Sequence, residues 1–561
     1  MDETVDTAVI VVGGSLVGLS AALFLSHWDV PVILLERHPG SSAHPRAIGY
    51  TSRTIELLRS AGVESALEGI SWKNGPPRRI AVESLAGKWH GEQHWTKPGD
   101  GKPKASPVDF RAYSPVDGIA VAQDVIEPIL RSRATELGAK LMLGYGVTGW
   151  DQDDSGVSAT AVNSNTGRQI QVRAKYLVAC DGGRSPIREK LGIERQGVGH
   201  VRTLRSILFR CPPIEKYLEH GYKQFSIEGR DDGFGGFLTT YGDGRWMLAW
   251  DIKDDTSTVV DETSQRDKVR KATGLPSLHD EDITLLATGE WDIGGHIADS
   301  FSSGRIFLAG DAAHTLPPNR GGYGANTGIA DAHNLAWKLA SVVGGHSRRE
   351  LLDTYDAERR PVAQVRHDQI FARDDHRRAV LDREWPGKDV EILDDVAMEF
   401  GQIYRSEGIV LGAEDDEDSN GNGLPLAQKP EVWKGRPGIR APHLVLRRRG
   451  TDEPCSTLDF FGKSWVVISK DESWQVEARD AAKVAGFPNF QFVCIGGDTV
   501  VEVEEGQFAK LFGLGASGAA LVRPDGVIAW RVIEKPEEGR RESLEKALWR
   551  ASFAVGSQSE G

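Results

Sequence analysis

"AVIVVGGSLVGLSAALFLSHWDVPVILLER", Ala8–Arg37, is the stretch whose reading decides the fold. Ala8 to Val12 is a short unbroken apolar run, the kind that makes a strand buried on both faces. Gly13, Ser15 and Gly18 then occupy the three positions of a G-x-G-x-x-G turn. Leu16 to Trp28 reads as the following helix, and Pro31 with the run ending at Glu36 reads as a second strand. This order is the dinucleotide fingerprint, in which a helix N-terminus meets a pyrophosphate and a carboxylate holds a ribose hydroxyl. The turn Gly13, Ser15, Leu16, Val17 and Gly18 takes the phosphates, with Glu36 and Arg37 at the ribose end. Ser15 stands where a glycine usually lets the backbone approach phosphate most closely. Its small side chain can itself donate a hydrogen bond.

"GYGVTG", Gly144–Gly149, matches the same spacing letter for letter. The residues after it alternate around turn signals and predict hairpin strands, and without a helix there is no dipole for a phosphate. A structural role is expected, with backbone near Val147 lining the adenine of the first nucleotide.

The bulk properties narrow the class. With 561 residues, the chain exceeds one core and suggests three or four units. A charged fraction of 26% and a hydrophobic fraction of 39% are ordinary for a globular protein. The net charge of −14 argues against nucleic acid or an anionic membrane surface as partner. The acidic N-terminus lacks the basic region of a secretory signal, and the apolar run near Leu16 to Leu25 is too short to span a bilayer. A cytoplasmic enzyme with a small-molecule partner is expected. Cys180, Cys211, Cys455 and Cys494 form no C-x-x-C pair and read as buried thiols rather than a disulfide frame or a metal site.

Two later signals repeat the pattern of strand, turn and helix. "YLVAC" runs into "DGGRSPIREKLGI" at Asp181, and "GRIFLAG" runs into "DAAHTLPPNRGGYGANTG" at Asp311. Apolar residues at helical spacing follow the second of them.

The ordered set "GGSLVG", "DGGRSPIR" and "GDAAHTLPP", continued by "YDAERRP" (Tyr355–Pro361), resembles the group A FAD-dependent aromatic hydroxylases of the p-hydroxybenzoate and phenol hydroxylase superfamily. Within them the chain looks most like the aromatic polyketide hydroxylases. "GRPGIRAPH" (Gly435–His443) and "GASGAALVRPDGVIAWR" (Gly515–Arg531) carry the likeness through nearly the whole sequence.

The resemblance implies an α/β and α+β fold: a Rossmann-like, glutathione-reductase-type FAD domain, a β-sheet substrate domain and a thioredoxin-like C-terminal domain without C-x-x-C. The expected boundaries are 1–75, 110–195 and 295–390 for the FAD domain, 76–109 and 196–294 for the substrate domain, 391–440 for a linker and 441–561 for the last unit. It implies that Asp311 bonds the ribitol, that Asp181 and Gln123 contact the cofactor, and that Arg46 lies near the flavin or its phosphates. Pro318 after Pro317 shapes the flavin environment together with Arg46. A helix beginning near Asn326, preceded by Gly324 and Ala325, aims its N-terminus at the electron-rich edge of the ring. His314 reads as structural. Phe225, Phe237, Tyr241, Trp246 and Trp250 lie in strand-forming sequence as candidate substrate contacts, although alternating aromatics more often form core.

The implied reaction uses NADPH or NADH as a transient hydride donor and O2 to hydroxylate a phenolic or polycyclic aromatic substrate through a flavin C4a-hydroperoxide. No general base and no metal ligand is assigned, and a homodimer is left open. Baeyer–Villiger oxygen insertion and a non-catalytic flavin-binding protein are the competing readings.

Overall fold

The computed structural model describes residues 3–45, 47–67, 78–93, 109–229, 234–254, 261–318, 322–385, 387–412, 415, 425–451, 453–487, 489–534 and 540–556. Arg46 lies outside the described residues.

The apolar runs at the three motifs become neighbouring strands of one sheet. Its order is Ser302–Ser303, Ile306–Leu308, Tyr176–Ala179, Val9–Val12, Val32–Glu36 and Lys140–Leu143. All pairings are parallel except the outer Ser302–Ser303. Register sets Ala179 beside both Val12 and Leu308, so the three strands end side by side. Parallel order therefore delivers Gly13, Asp181 and Asp311 to one carboxyl edge of the sheet, the usual ligand position in such folds.

Close packing explains the glycines of the first turn. Gly13 has φ +102°, and a Cβ there would lie 2.3 Å from the Cys180 carbonyl oxygen. A Cβ on Gly18 would lie 1.8 Å from the Gly13 carbonyl oxygen. The helix Leu16–His27 is thereby seated on the strand before it, and it is buried over most of its surface. Tyr145–Gln152, the segment of the second glycine pattern, is the edge strand of an antiparallel meander with Val157–Asn163 and Gln169–Ala174. No helix follows it, so the strand reading holds.

An eight-stranded sheet stands over that carboxyl edge. Its order is His314–Thr315, Thr284–Ala298, Arg195–Arg210, Arg245–Asp251, Gly235–Thr240, Gln224–Glu228, Arg79–Val82 and Trp89–Gln93. One face packs under the helix Glu262–Thr273, with Phe225, Trp246, Leu248 and Trp250 in that layer. The other face, with Leu208, Tyr241, Met247 and Ala249, turns toward the first unit.

The C-terminal unit pairs Trp465–Ser469 in parallel with Phe490–Cys494 around the helix Trp474–Ala485. It then adds Ala519–Val522 and Ile528–Val532 antiparallel, followed by the helix Arg540–Ser552. This βαβ–ββα order is thioredoxin-like. Ions buried between this unit and the rest join them. Glu358 accepts from Lys338 Nζ at 2.8 Å and from Arg523 at 2.6 and 2.9 Å, and Arg523 also binds Asp525 at 2.5 Å. Glu56 accepts from Arg440 at 2.5 and 3.0 Å. Among the described residues, no helix is long and apolar enough to cross a membrane.

Candidate functional site

A continuous cleft of about 3200 Å³ runs from the first glycine turn to the eight-stranded sheet. Pockets for drug-sized ligands measure roughly 300–1,000 Å³, so the cleft has room for a dinucleotide and a second molecule. Gly13, Ser15, Leu16, Val17, Glu36, Arg37, Gln123 and Val147 line one end. Asp181, Asp311, Pro317, Pro318, Gly324 and Ala325 line its middle.

At the glycine turn, Ser15 opens the helix Leu16–His27 and donates to Glu127 Oε1 at 2.8 Å. Gln123 Nε2 donates to both Ser15 Oγ and Glu127 Oε1 at 2.8 Å. The substitution of serine for glycine is thus matched by a buried partner set on the helix Gln123–Glu136. Glu127 was not anticipated from sequence, though its i, i+4 spacing from Gln123 was readable. Glu36 accepts from Gly14 N at 2.5 Å and from His38 N at 2.7 Å, tying its strand end to the turn.

In the middle of the cleft, Gly310 has φ +60°, and a Cβ there would sit 2.8 Å from Val17 Cγ2. A Cβ on Gly328 would sit 2.5 Å from the same atom. The helix Tyr323–Val343 is therefore locked against the first helix, with its N-terminus in the cleft. It begins three residues earlier than the expected start near Asn326. The reason is local: Gly322 supplies a left-handed cap at φ +59°, and the buried Tyr323 ring is fixed with the Arg366 guanidinium 5.0 Å from its centroid. The first-turn N–H groups at Gly324 and Ala325 precede the point where intrahelical bonding begins, as at any helix start.

Asn326 also departs from expectation. Its side chain sits behind the cleft, accepting from Thr51 N at 3.1 Å and Thr54 Oγ1 at 2.6 Å and donating to Gly322 O at 2.8 Å. It latches the loop before the helix to the segment at Thr51.

Behind Asp311 lies a dry polar network. Asp331 accepts from Arg359 Nε at 2.8 Å and from Gly310 N at 3.2 Å, and its other contact is His314 Nε2 at 2.6 Å. Burial pushes the Asp331 carboxyl up, but His314 and Arg359 outweigh it and hold the group below its ordinary range. Arg188 Nη1 donates to Gly183 O at 3.2 Å and Ala312 O at 3.1 Å, joining the second and third motifs. His376 Nε2 lies 3.0 Å from the Pro318 carbonyl oxygen. Asp181 keeps one buried oxygen, Oδ1, without a partner, and burial raises its carboxyl above the ordinary value. An orphaned buried acceptor and a helix start that opens into a large cleft suit a hydroxylated, phosphate-bearing cofactor. The residues fit FAD.

Residues 6–369 match the family model described as FAD binding domain, and residues 434–552 match aromatic-ring hydroxylase, C-terminal. The chain belongs to the FAD-dependent aromatic-ring hydroxylases. It is 40% identical to a 4-methyl-5-nitrocatechol 5-monooxygenase from Burkholderia sp, over 97% of this chain and 98% of that one. It is 36% identical to a tetracenomycin A2 monooxygenase-dioxygenase from Streptomyces glaucescens, over 99% of both chains. Among solved structures, a ternary complex of aklavinone-11 hydroxylase with FAD and aklavinone superposes with TM-score 0.82 at 29% identity, covering 98% of this chain and 100% of that one. The protein is a flavoprotein aromatic monooxygenase that uses FAD, NAD(P)H and O2.

In this hydroxylase two of the five candidate substrate aromatics, Phe225 and Trp246, are absent from the cleft lining. Phe225 and Trp246 have ring centroids 6.2 Å apart in the outer layer, and the Trp246 N–H donates to Glu215. Trp250 packs in that layer as well, with its ring 6.4 Å from Phe234, and also lines the cleft. Strand parity is the cause, because side chains two or four apart share a face. Phe237 and Tyr241 do line the cleft. The Tyr241 hydroxyl donates to Pro45 O at 2.6 Å, so this ring braces the loop beside position 46. Trp291, which the sequence reading missed, lies on the inner face and donates to Ser206 Oγ at 3.2 Å.

Asp311→Ala is expected to yield largely colourless protein. A hydrogen bond to a charged group contributes about 1.5–3 kcal/mol, or about tenfold to 150-fold in affinity. The ratio of flavin to protein absorbance after purification checks this, and full FAD occupancy in the variant would remove Asp311 from the site.

Proposed function

We propose that the enzyme hydroxylates a phenolic ring, carried by a substituted catechol or a polycyclic polyketide, lodged between the middle of the cleft and the eight-stranded sheet. The observation that carries this reading is the continuity of the cleft from the three motif turns to a wall bearing Phe237, Tyr241 and Trp291. The relatives act, by their names, on a nitrocatechol and on tetracenomycin A2.

Bound FAD supplies the redox chemistry, accepting hydride from the nicotinamide and activating dioxygen. The chain's own residues bind and orient. Gly13 and Ser15 to Gly18 hold the pyrophosphate, Glu36 holds the adenosine ribose, and Asp311 with Asp181 holds the ribitol region. Pro317 and Pro318 would shape the surroundings of the ring, and the N–H groups at Gly324 and Ala325 would stabilise negative charge on it. The sheet closes over the ring and keeps water from it. The same reading assigns 1–75, 110–195 and 295–390 to cofactor binding, 76–109 and 196–294 to substrate, 391–440 to a connection and 441–561 to the last unit. His314–Thr315 crosses that division, since it is an edge strand of the substrate sheet.

Purified protein is tested for NADPH and NADH oxidation with a panel of phenols and polyketide quinones, with product mass as the readout. A gain of one oxygen on an aromatic ring is expected. A ring-expanded lactone, or bound flavin that no nicotinamide reduces, would contradict the proposal.

A further inference from the structure

A strip of cations lines the cleft where the second motif meets one end of the eight-stranded sheet. It comprises Arg184, Lys190, Arg195 and Arg202, with His200 among them, on a chain whose net charge is −14. Arg202 differs from the others. It precedes Leu204 by two residues and pairs in register with Ile293, itself two residues from Trp291. Arg202 therefore shares the inner face of the sheet with Leu204 and Trp291. The side chain is half-buried and its Nε is withdrawn from solvent without a hydrogen-bond partner. Among the described residues, no hydrogen bond or ion pair engages its guanidinium.

The carboxylates around it are occupied. Asp292 pairs in register with Thr203 and so turns to the opposite face. It accepts from Arg184 Nη2 at 2.9 Å and Thr203 Oγ1 at 2.7 Å, with His200 Nε2 at 3.5 Å. Asp251, opposite Leu204, accepts from Lys253 N at 3.0 Å. Lys190 Nζ and Arg195 Nη1 donate to neutral carbonyl oxygens, of Trp150 at 2.5 Å and Gly183 at 3.0 Å. Burial lowers the His296 imidazole to about 4, and Arg195, His367, Arg188 and His200 lower it further, as a positive field at this end requires.

We propose that Arg202 docks a phosphate of the nicotinamide dinucleotide, with Lys190 and Arg195 supplying the surrounding positive potential. NADH brings a pyrophosphate into the cleft, and NADPH a 2′-phosphate as well. A guanidinium takes phosphate through paired N–H groups, and here no carboxylate has to leave first. A buried donor left unsatisfied in the free protein marks a place where a ligand completes the set. The turn that takes the FAD phosphates belongs to the first unit, whereas Arg202 stands on the sheet across the cleft. A positive strip also speeds the capture of a polyanion that binds, reacts and leaves. The docking role goes beyond the hydroxylation reading, because it concerns the hydride donor and not the aromatic ring.

The test mixes the holoenzyme anaerobically with NADPH or NADH over a range of concentrations and follows the loss of oxidised-flavin absorbance. Arg202→Met is expected to raise the half-saturating concentration at least about tenfold, while the limiting rate stays within about twofold and FAD content and Tm are unchanged. Arg202→Lys gives an intermediate value, because charge is kept and the planar fork is lost. An effect on NADPH alone assigns the 2′-phosphate, and an effect on both donors assigns the pyrophosphate. If Arg202→Met does not fold, Arg202→Gln is measured against the same expectations.

An unchanged half-saturating concentration for both donors, a fall in limiting rate alone, or a folded variant that loses FAD overturns the docking role. Reduction is read without any aromatic product, so the two readings separate. A raised half-saturating concentration in an enzyme that oxygenates no phenol supports docking and counts against hydroxylation. Oxygenated product with no effect at Arg202 removes docking alone.

Discussion

Glu358→Ala lowers the unfolding free energy by roughly 3–5 kcal/mol, the range for removing one partner from a buried ionic cluster. Glu358 is almost wholly buried, and its carboxylate accepts from Lys338, Arg523, Asn334 Nδ2 at 2.8 Å and Ser406 Oγ at 2.8 Å. Burial pushes its carboxyl up, yet Arg523 and Lys338 dominate and hold it far below the carboxylate range. Burial lowers Lys338 to about 8, against the pull of Glu358. Deleting the carboxylate leaves two cations facing each other in a dry interface, with only Asp525 to compensate. Chaotrope unfolding checks the loss. A cycle with Arg523→Ala checks its origin, because partners in one network must show a coupling of about 0.5–3 kcal/mol. Strictly additive losses would mean that no network joins the C-terminal unit to the helix Thr354–Ala372.

The second large effect is expected at Asp331→Ala. The variant leaves Arg359 buried without its carboxylate and frees Gly310 N and His314, at a similar cost of about 3–5 kcal/mol. Glu358→Ala acts where the C-terminal unit meets the helix Thr354–Ala372, whereas Asp331 backs the turn that presents Asp311. Asp331→Ala therefore loses FAD together with stability, and Asp331→Asn, which keeps an acceptor for Gly310 N, recovers part of the flavin content. Tight FAD binding by a folded Asp331→Ala protein would show that the network does not shape the turn.

The sequence was most readable where one local rule decides the structure. Apolar runs ending in Gly13, Asp181 and Gly310–Asp311 are strands buried on both faces, and parallel order makes their ends converge. The start of the helix Tyr323–Val343 was misplaced because glycines on both sides of Tyr323 read as loop, while Gly322 caps the helix in a left-handed conformation. Phe225 and Trp246 fall outside the cleft lining for another reason. Alternation shows that Trp246 and Trp250 share a face, but it does not say which face meets the helix Glu262–Thr273. Asp331 and Glu358 likewise look like surface charges on helices until their partners from distant segments are in place.

The central claim is that three separated turns converge to hold one FAD, its adenosine half on the turn at Gly13 to Gly18 and its ring at the start of the helix Tyr323–Val343. Titrating flavin-stripped protein with FAD and, separately, with FMN tests this most directly, because FMN carries the ring and lacks the adenosine. The account predicts one FAD per chain and binding of FMN weaker by at least about a hundredfold, or about 2.7 kcal/mol. Equal affinity for the two flavins, or no uptake of FAD, would contradict it.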